Sequence, residues 1–94
     1  MTEAQLQAKL LKHLTSEGFV VFKTLASNIN GVSDIIACSP SGEFWSIEVK
    51  APGKLSTLSK LQEVWLRRVS DNGGVAIAVD SLEMLKGYIS LTLR

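Results

Sequence analysis

Leu6, Leu10 and Leu14 recur at four-residue intervals near the start of the chain, with polar residues between them, until Gly18 interrupts the pattern. That is the stripe of an amphipathic helix, and Thr2 followed by Gln5 has the capping-box spacing, so a helix is predicted over 3–16. Apolar runs at 19–23, 35–38, 44–50 and 75–79, rich in Val, Ile and Phe, read as strands. Residues 26–32, with Asn28, Asn30 and Gly31, read as a loop. Ser39-Pro40-Ser41-Gly42-Glu43 has the length and chemistry of a hairpin turn. A second loop, 51–58, carries Pro52 and Gly53. Ser59 and Gln62 then repeat the capping-box spacing, Leu61, Trp65 and Val69 keep helical phase, and Asn72-Gly73-Gly74 ends that segment. Asp80 and Glu83 are expected to open a last helix that runs to about Ser90. The order α-β-β-β-α-β-α, a hairpin followed by a helical crossover, predicts an α/β fold with a mixed sheet flanked by helices.

Charges interrupt two of these strands. Alternation puts Phe44, Ser46, Glu48 and Lys50 on one face of their strand and Trp45, Ile47 and Val49 on the other. If the hairpin is centred on Ser41, Asp34 lies directly opposite Glu48, with α-carbons within about 5 Å. A slip of one residue would separate them. Two carboxylates that close either share a proton or hold a cation. Oxygen ligands suit a hard ion, Mg²⁺ or Mn²⁺, better than zinc. Glu3 falls in phase with Leu6, Leu10 and Leu14, so it is expected on the buried stripe of the first helix, within reach of the sheet. The alternative is a first-turn acid that serves only the helix dipole. Gln62 is in phase with Trp65 and Val69 and so near the same seam, unless it serves only the cap with Ser59.

The chain has 94 residues, 46% of them hydrophobic, enough for a single domain over 1–94 with one modest core. No apolar run approaches ~18 residues, so a soluble protein is expected. The lone Cys38 fits a reducing cytoplasm and reads as a small core residue; the lone His13 reads as a surface residue. Neither zinc ligands nor a nucleophile with a histidine partner can be assembled. The net charge of +1 excludes a global basic signature, but from 50 to 68 the bases Lys50, Lys54, Lys60, Arg67 and Arg68 face one acid, Glu63.

Asp34 followed by Glu48-Val49-Lys50 across a strand, loop and strand resembles the D…(D/E)xK signature of the PD-(D/E)XK nuclease superfamily. Gly31-Val32-Ser33-Asp34, Glu48 to Gly53, Leu58 to Gln62 and Gly73 to Val79 together are similar to its virus-type replication-repair (VRR-NUC) domain, in a stand-alone form of phage or prophage type. The resemblance implies a restriction-endonuclease-like αβββαβ core plus a C-terminal helix, and a Mg²⁺- or Mn²⁺-dependent endonuclease acting on DNA. It maps catalytic roles onto Glu3, Asp34, Glu48, Lys50 and Gln62. Asp34, Glu48 and the Val49 carbonyl are the expected metal ligands, with Glu3 acting through water. Lys23, Lys54, Lys60, Arg67 and Arg68 are the expected phosphate contacts. Ser33 stands where the family commonly has proline, a change that removes stiffness rather than a ligand.

A chain this small carries no evident module for reading a sequence, which points to branched or four-way junction DNA. The cytoplasm of a bacterial or phage-infected cell is the expected location. A homodimer is expected, because Leu82, Leu85 and Ile89 in helical phase, with Tyr88, Leu91 and Leu93, look like more apolar surface than the core can cover. Three rivals remain open: a non-catalytic nucleic-acid-binding module, an interaction domain in which Asp34, Glu48 and Lys50 form a structural ion pair, and a restriction-like or junction-resolving relative from another branch of the superfamily.

Overall fold

The computed structural model describes residues 1–92, so Leu93 and its expected share in a dimer surface lie outside the described residues. The elements follow in the order α1 (Glu3–Ser16), β1 (Val20–Lys23), β2 (Ile35–Cys38), β3 (Phe44–Val49), α2 (Lys60–Asp71), β4 (Val75–Val79) and α3 (Leu82–Thr92). Both capping boxes form: Thr2 and Ser59 each accept from the amide three residues on, and Gln5 and Gln62 reach back to the cap amides. The loop before α2 contains a short 3-10 turn, Leu55–Thr57, that hydrophobic patterning gives no sign of.

The sheet runs β1-β2-β3-β4, antiparallel across the first two pairs and parallel across the last. Ser39, Ser41 and Glu43 tie the hairpin turn, with the Glu43 amide donating to Ser39 Oγ at 3.0 Å. The pairing Ile35↔Ile47 through Cys38↔Phe44 centres the hairpin on Ser41. This is the register that brings the strand charges together.

The two faces of the sheet are treated differently. Trp45, Ile47, Val49, Ile77 and Val79 pack with Leu6, Leu10 and Leu14 of α1 and Leu85 and Ile89 of α3 into one core, which Phe19 closes edge-on against Trp45 at 5.2 Å. The other face is covered by α2 only over β3 and β4. There Trp65 Nε1 donates to Ser46 Oγ at 2.8 Å, and the small Ala76 and Ala78 lie beside Ser46 and Glu48. Over β1 and β2 this face is open among the described residues, with Val20, Phe22 and Cys38 exposed.

Three expectations change here. Cys38 is exposed rather than core, because its side of β2 belongs to the open half. The last helix is capped by Ser81, whose Oγ accepts from the Met84 amide; Asp80 instead accepts from the Gly53 amide at 3.0 Å and anchors the loop after β3. The apolar stripe of α3 packs back on the core, burying Leu85 and Ile89 and partly burying Leu82 and Tyr88, so among the described residues of that set only Leu91 stays largely exposed. His13 is half-buried and reaches Glu17 at 3.6 Å.

Gly31 fixes the loop that leads into Asp34. Its φ is +85°, and a Cβ there would stand 2.5 Å from the Leu61 carbonyl oxygen on α2. Gly53, at φ +80°, has open space around it. Gly53→Ala is therefore expected to cost about 1–2 kcal/mol from backbone strain alone. Gly31→Ala should cost about 1–3 kcal/mol more through overpacking. Denaturant unfolding of the two variants compares them; equal losses would mean the loop does not seat on α2.

Candidate active site

Asp34 immediately precedes β2, and extending the register by one residue from Ile35↔Ile47 sets it opposite Glu48. Its backbone and side chain both hold that place. The Asp34 carbonyl accepts from the Thr24 amide at 2.8 Å, closing the loop between β1 and β2. Its Oδ2 accepts from the Val49 amide at 2.9 Å, so the carboxylate stands in for a strand partner where the β2 ladder begins. This backbone contact carries no side-chain signature and becomes visible only once the register is known.

Glu48 is 2% exposed, and its Oε1 is buried without a hydrogen-bond partner among the described residues. Burial is the largest influence on its carboxyl, followed by a hydrogen bond shared with Asp34 and by the Asp34 charge, with a lesser push from Glu3. Lys50 pulls the other way and loses, and the Glu48 pKa rises to about 9. Left without a cation, Glu48 therefore keeps its proton at neutral pH, which avoids the several kcal/mol that an unpaired buried charge costs.

Lys50 is the residue after β3, and its amide donates to the Val79 carbonyl at 3.0 Å, so it remains on the β3–β4 ladder. With Gly53 held by Asp80, the backbone on both sides of Lys50 is fixed. Glu3 does not lie on the buried stripe. In α1 that stripe is Leu6, Gln7, Leu10 and Leu14, while Glu3, one turn before Gln7, is exposed in the first turn. Its charge nonetheless acts on Glu48. Gln62 serves the cap: its Oε1 accepts from the Ser59 amide at 2.8 Å.

Among the described residues no three His, Cys, Asp or Glu side chains converge as a metal-holding group. The donor set is thus a pair, Asp34 and Glu48, with one orphaned buried oxygen. That chemistry fits a hard cation whose remaining ligands are water or substrate. Lys23, Lys54, Lys60, Arg67 and Arg68 are all exposed, and none forms an ion pair among the described residues.

The proton on Glu48 makes stability depend on pH. Glu48 ionises near 4.5 in the unfolded chain but near 9 in the fold, so folding favours its protonated form. That contribution is whole below pH 4.5 and drains away as the pH rises to about 9. In metal-free protein, the stability of the wild type relative to Glu48→Gln is expected to fall with pH across this window. Thermal melts of both proteins across that range test it, and a difference that stays flat would contradict the shared proton.

The VRR-NUC domain model matches residues 2–82 of the chain. A solved structure described as a VRR_NUC domain superposes with a TM-score of 0.84 at 22% identity, over 98% of this chain and 99% of that one. At that identity the likeness concerns the fold. A search of curated proteins gives no match. With the family model spanning most of its length and an acid pair and lysine ordered as the signature requires, the chain belongs to the VRR-NUC family and is a nuclease of the PD-(D/E)XK type.

Proposed function

We propose that the protein is a divalent-metal-dependent endonuclease that hydrolyses phosphodiester bonds in branched or four-way junction DNA. The observation that carries this reading is the apposition of Asp34 and buried Glu48 beside Lys50. Asp34 and Glu48 would hold Mg²⁺ or Mn²⁺, with the Val49 carbonyl as a further ligand and Glu3 acting through water. When bound, such an ion supplies Lewis-acid polarisation of the phosphate and a more acidic water.

The protein's own residues do the rest. Asp34, pinned by the Val49 amide, cannot swing away from the pair. Lys50 holds the attacking water and stabilises the charge that builds on the phosphate oxygens in the transition state. Gln62, whose Oε1 is committed to its cap, has its amide NH₂ left to orient water or Lys50. The exposed Lys23, Lys54, Lys60, Arg67 and Arg68 hold phosphates away from the reacting one.

Asp34→Asn and Glu48→Gln should each abolish cleavage while the fold survives, Glu48→Gln because neutral Glu48 is already the metal-free state. Lys50→Met should lower turnover by about two orders of magnitude with little effect on affinity. Lys54→Ala and Arg68→Ala should instead weaken binding and flatten its salt dependence. The assay compares four-way junction, flap, single-stranded and linear duplex DNA with and without Mg²⁺ or Mn²⁺. Full activity in Asp34→Asn would overturn the metal assignment, and metal-independent binding with no cleavage would favour a non-catalytic module.

The working unit in this reading is a homodimer, since symmetric cutting of a junction needs two centres related by a two-fold axis. The surface that supports it is not α3 but the edge strand β1, where Val20 is 74% and Phe22 59% exposed on the open face. Light scattering should give a two-chain mass that Phe22→Glu reduces to one. A one-chain mass in protein fully active on junctions would defeat the dimer.

A further inference from the structure

On the face of the sheet that bears the acid pair there is a hollow of about 220 Å³ lined by Phe44, Trp65, Arg68, Val69, Asn72 and Gly74, of which the proposed function uses Arg68 alone. Alternation along β3 puts Phe44, Ser46 and Glu48 on that one face, so Phe44 lies about 13 Å along the strand from Glu48. Phe44 is 46% exposed. Trp65 is half-buried, and its bond to Ser46 Oγ fixes the plane of the indole. Gly74 keeps the floor clear: a Cβ there would stand 2.8 Å from Val69 Cγ1. Asn72 Nδ2 donates to the Arg68 carbonyl at 2.8 Å, tying the end of α2 at the rim, and the exposed Arg68 guanidinium has no acid partner among the described residues.

Two aromatic rings with an unpaired guanidinium beside them make a site for a flat, apolar ligand that carries a negative charge next to it. A nucleotide has this chemistry: its base presents a π-face, and its phosphate lies one sugar away. A base within a duplex has both faces stacked and cannot enter, whereas an unpaired base can. Charge complementarity at Arg68 argues against an apolar segment of a protein partner as the occupant. Resting on the nuclease reading above, we propose that this hollow is a stacking subsite for one unpaired nucleobase of the substrate strand, and that among branched substrates it favours those with unpaired nucleotides near the cut.

Binding can be read without cleavage, so failure of this subsite and failure of the nuclease reading are distinguishable. In Asp34→Asn protein with EDTA, oligonucleotides are titrated while tryptophan fluorescence is followed. Trp45 is fully buried in the core, so quenching by a base reports Trp65. Single-stranded oligonucleotide should quench, and the same sequence as a blunt duplex should not. Phe44→Leu keeps the apolar contact but loses the ring, and it should weaken single-strand binding about tenfold. In otherwise wild-type protein with metal, the same variant should reduce the preference for unpaired over fully paired substrate by a similar factor. Equal quenching by duplex, wild-type single-strand affinity in Phe44→Leu, or no quenching by any oligonucleotide would each overturn the proposal, the last leaving the hollow to a protein partner.

Discussion

The apposition of Asp34 and Glu48 is the constraint on which the rest of the molecule turns. It exists because the β2–β3 hairpin is centred on Ser41, and a slip of one residue would send one carboxylate to the opposite face. Several contacts guard that register. Ser39 ties the turn, the Thr24 amide holds the Asp34 carbonyl, and the Val49 amide holds its carboxylate. The energetic problem is met chemically: Glu48 keeps a proton until something more positive replaces it. A cation bound between the two carboxyls would take the place of that proton and offset the repulsion its loss would otherwise bring.

The same economy governs the faces of the sheet. The core face is saturated with large apolar side chains under α1 and α3, while α2 covers only half of the opposite face. Polar Ser46 and Glu48 are tolerated there because each has a local reason: Ser46 accepts from Trp65, and Glu48 is neutral. Fixed backbone around Lys50 adds rigidity that its proposed catalytic role would need. The open half over β1 and β2 leaves the acid pair at a boundary between covered and uncovered sheet, where a phosphate can approach.

Most of this was legible in the residues because it depends on short-range rules. Capping boxes, strand alternation and the symmetry of the hairpin turn fixed the elements, and the register followed by counting outward from Ser41. What escaped depends on which surfaces meet. Cys38 lies in an apolar run with no polar alternation to reveal that its side of the sheet is uncovered. Leu85 and Ile89 give the same helical pattern whether they face this core or a second chain, and the choice rests on α3 packing beside α1. Glu3 keeps helical phase with Leu6 yet is exposed, because phase says nothing about where the supporting surface ends. Asp80 and Ser81 are both competent caps. The Gly53 amide engages Asp80 and leaves the helix to Ser81.

Asp34 and Glu48 are proposed to hold one divalent cation between them. Crystals grown with Mn²⁺ and measured at the manganese absorption edge test it most directly. A single strong anomalous peak is expected between the two carboxylates, within coordination distance of both. A peak elsewhere, or none at this pair in protein that cleaves DNA with Mn²⁺, would contradict it.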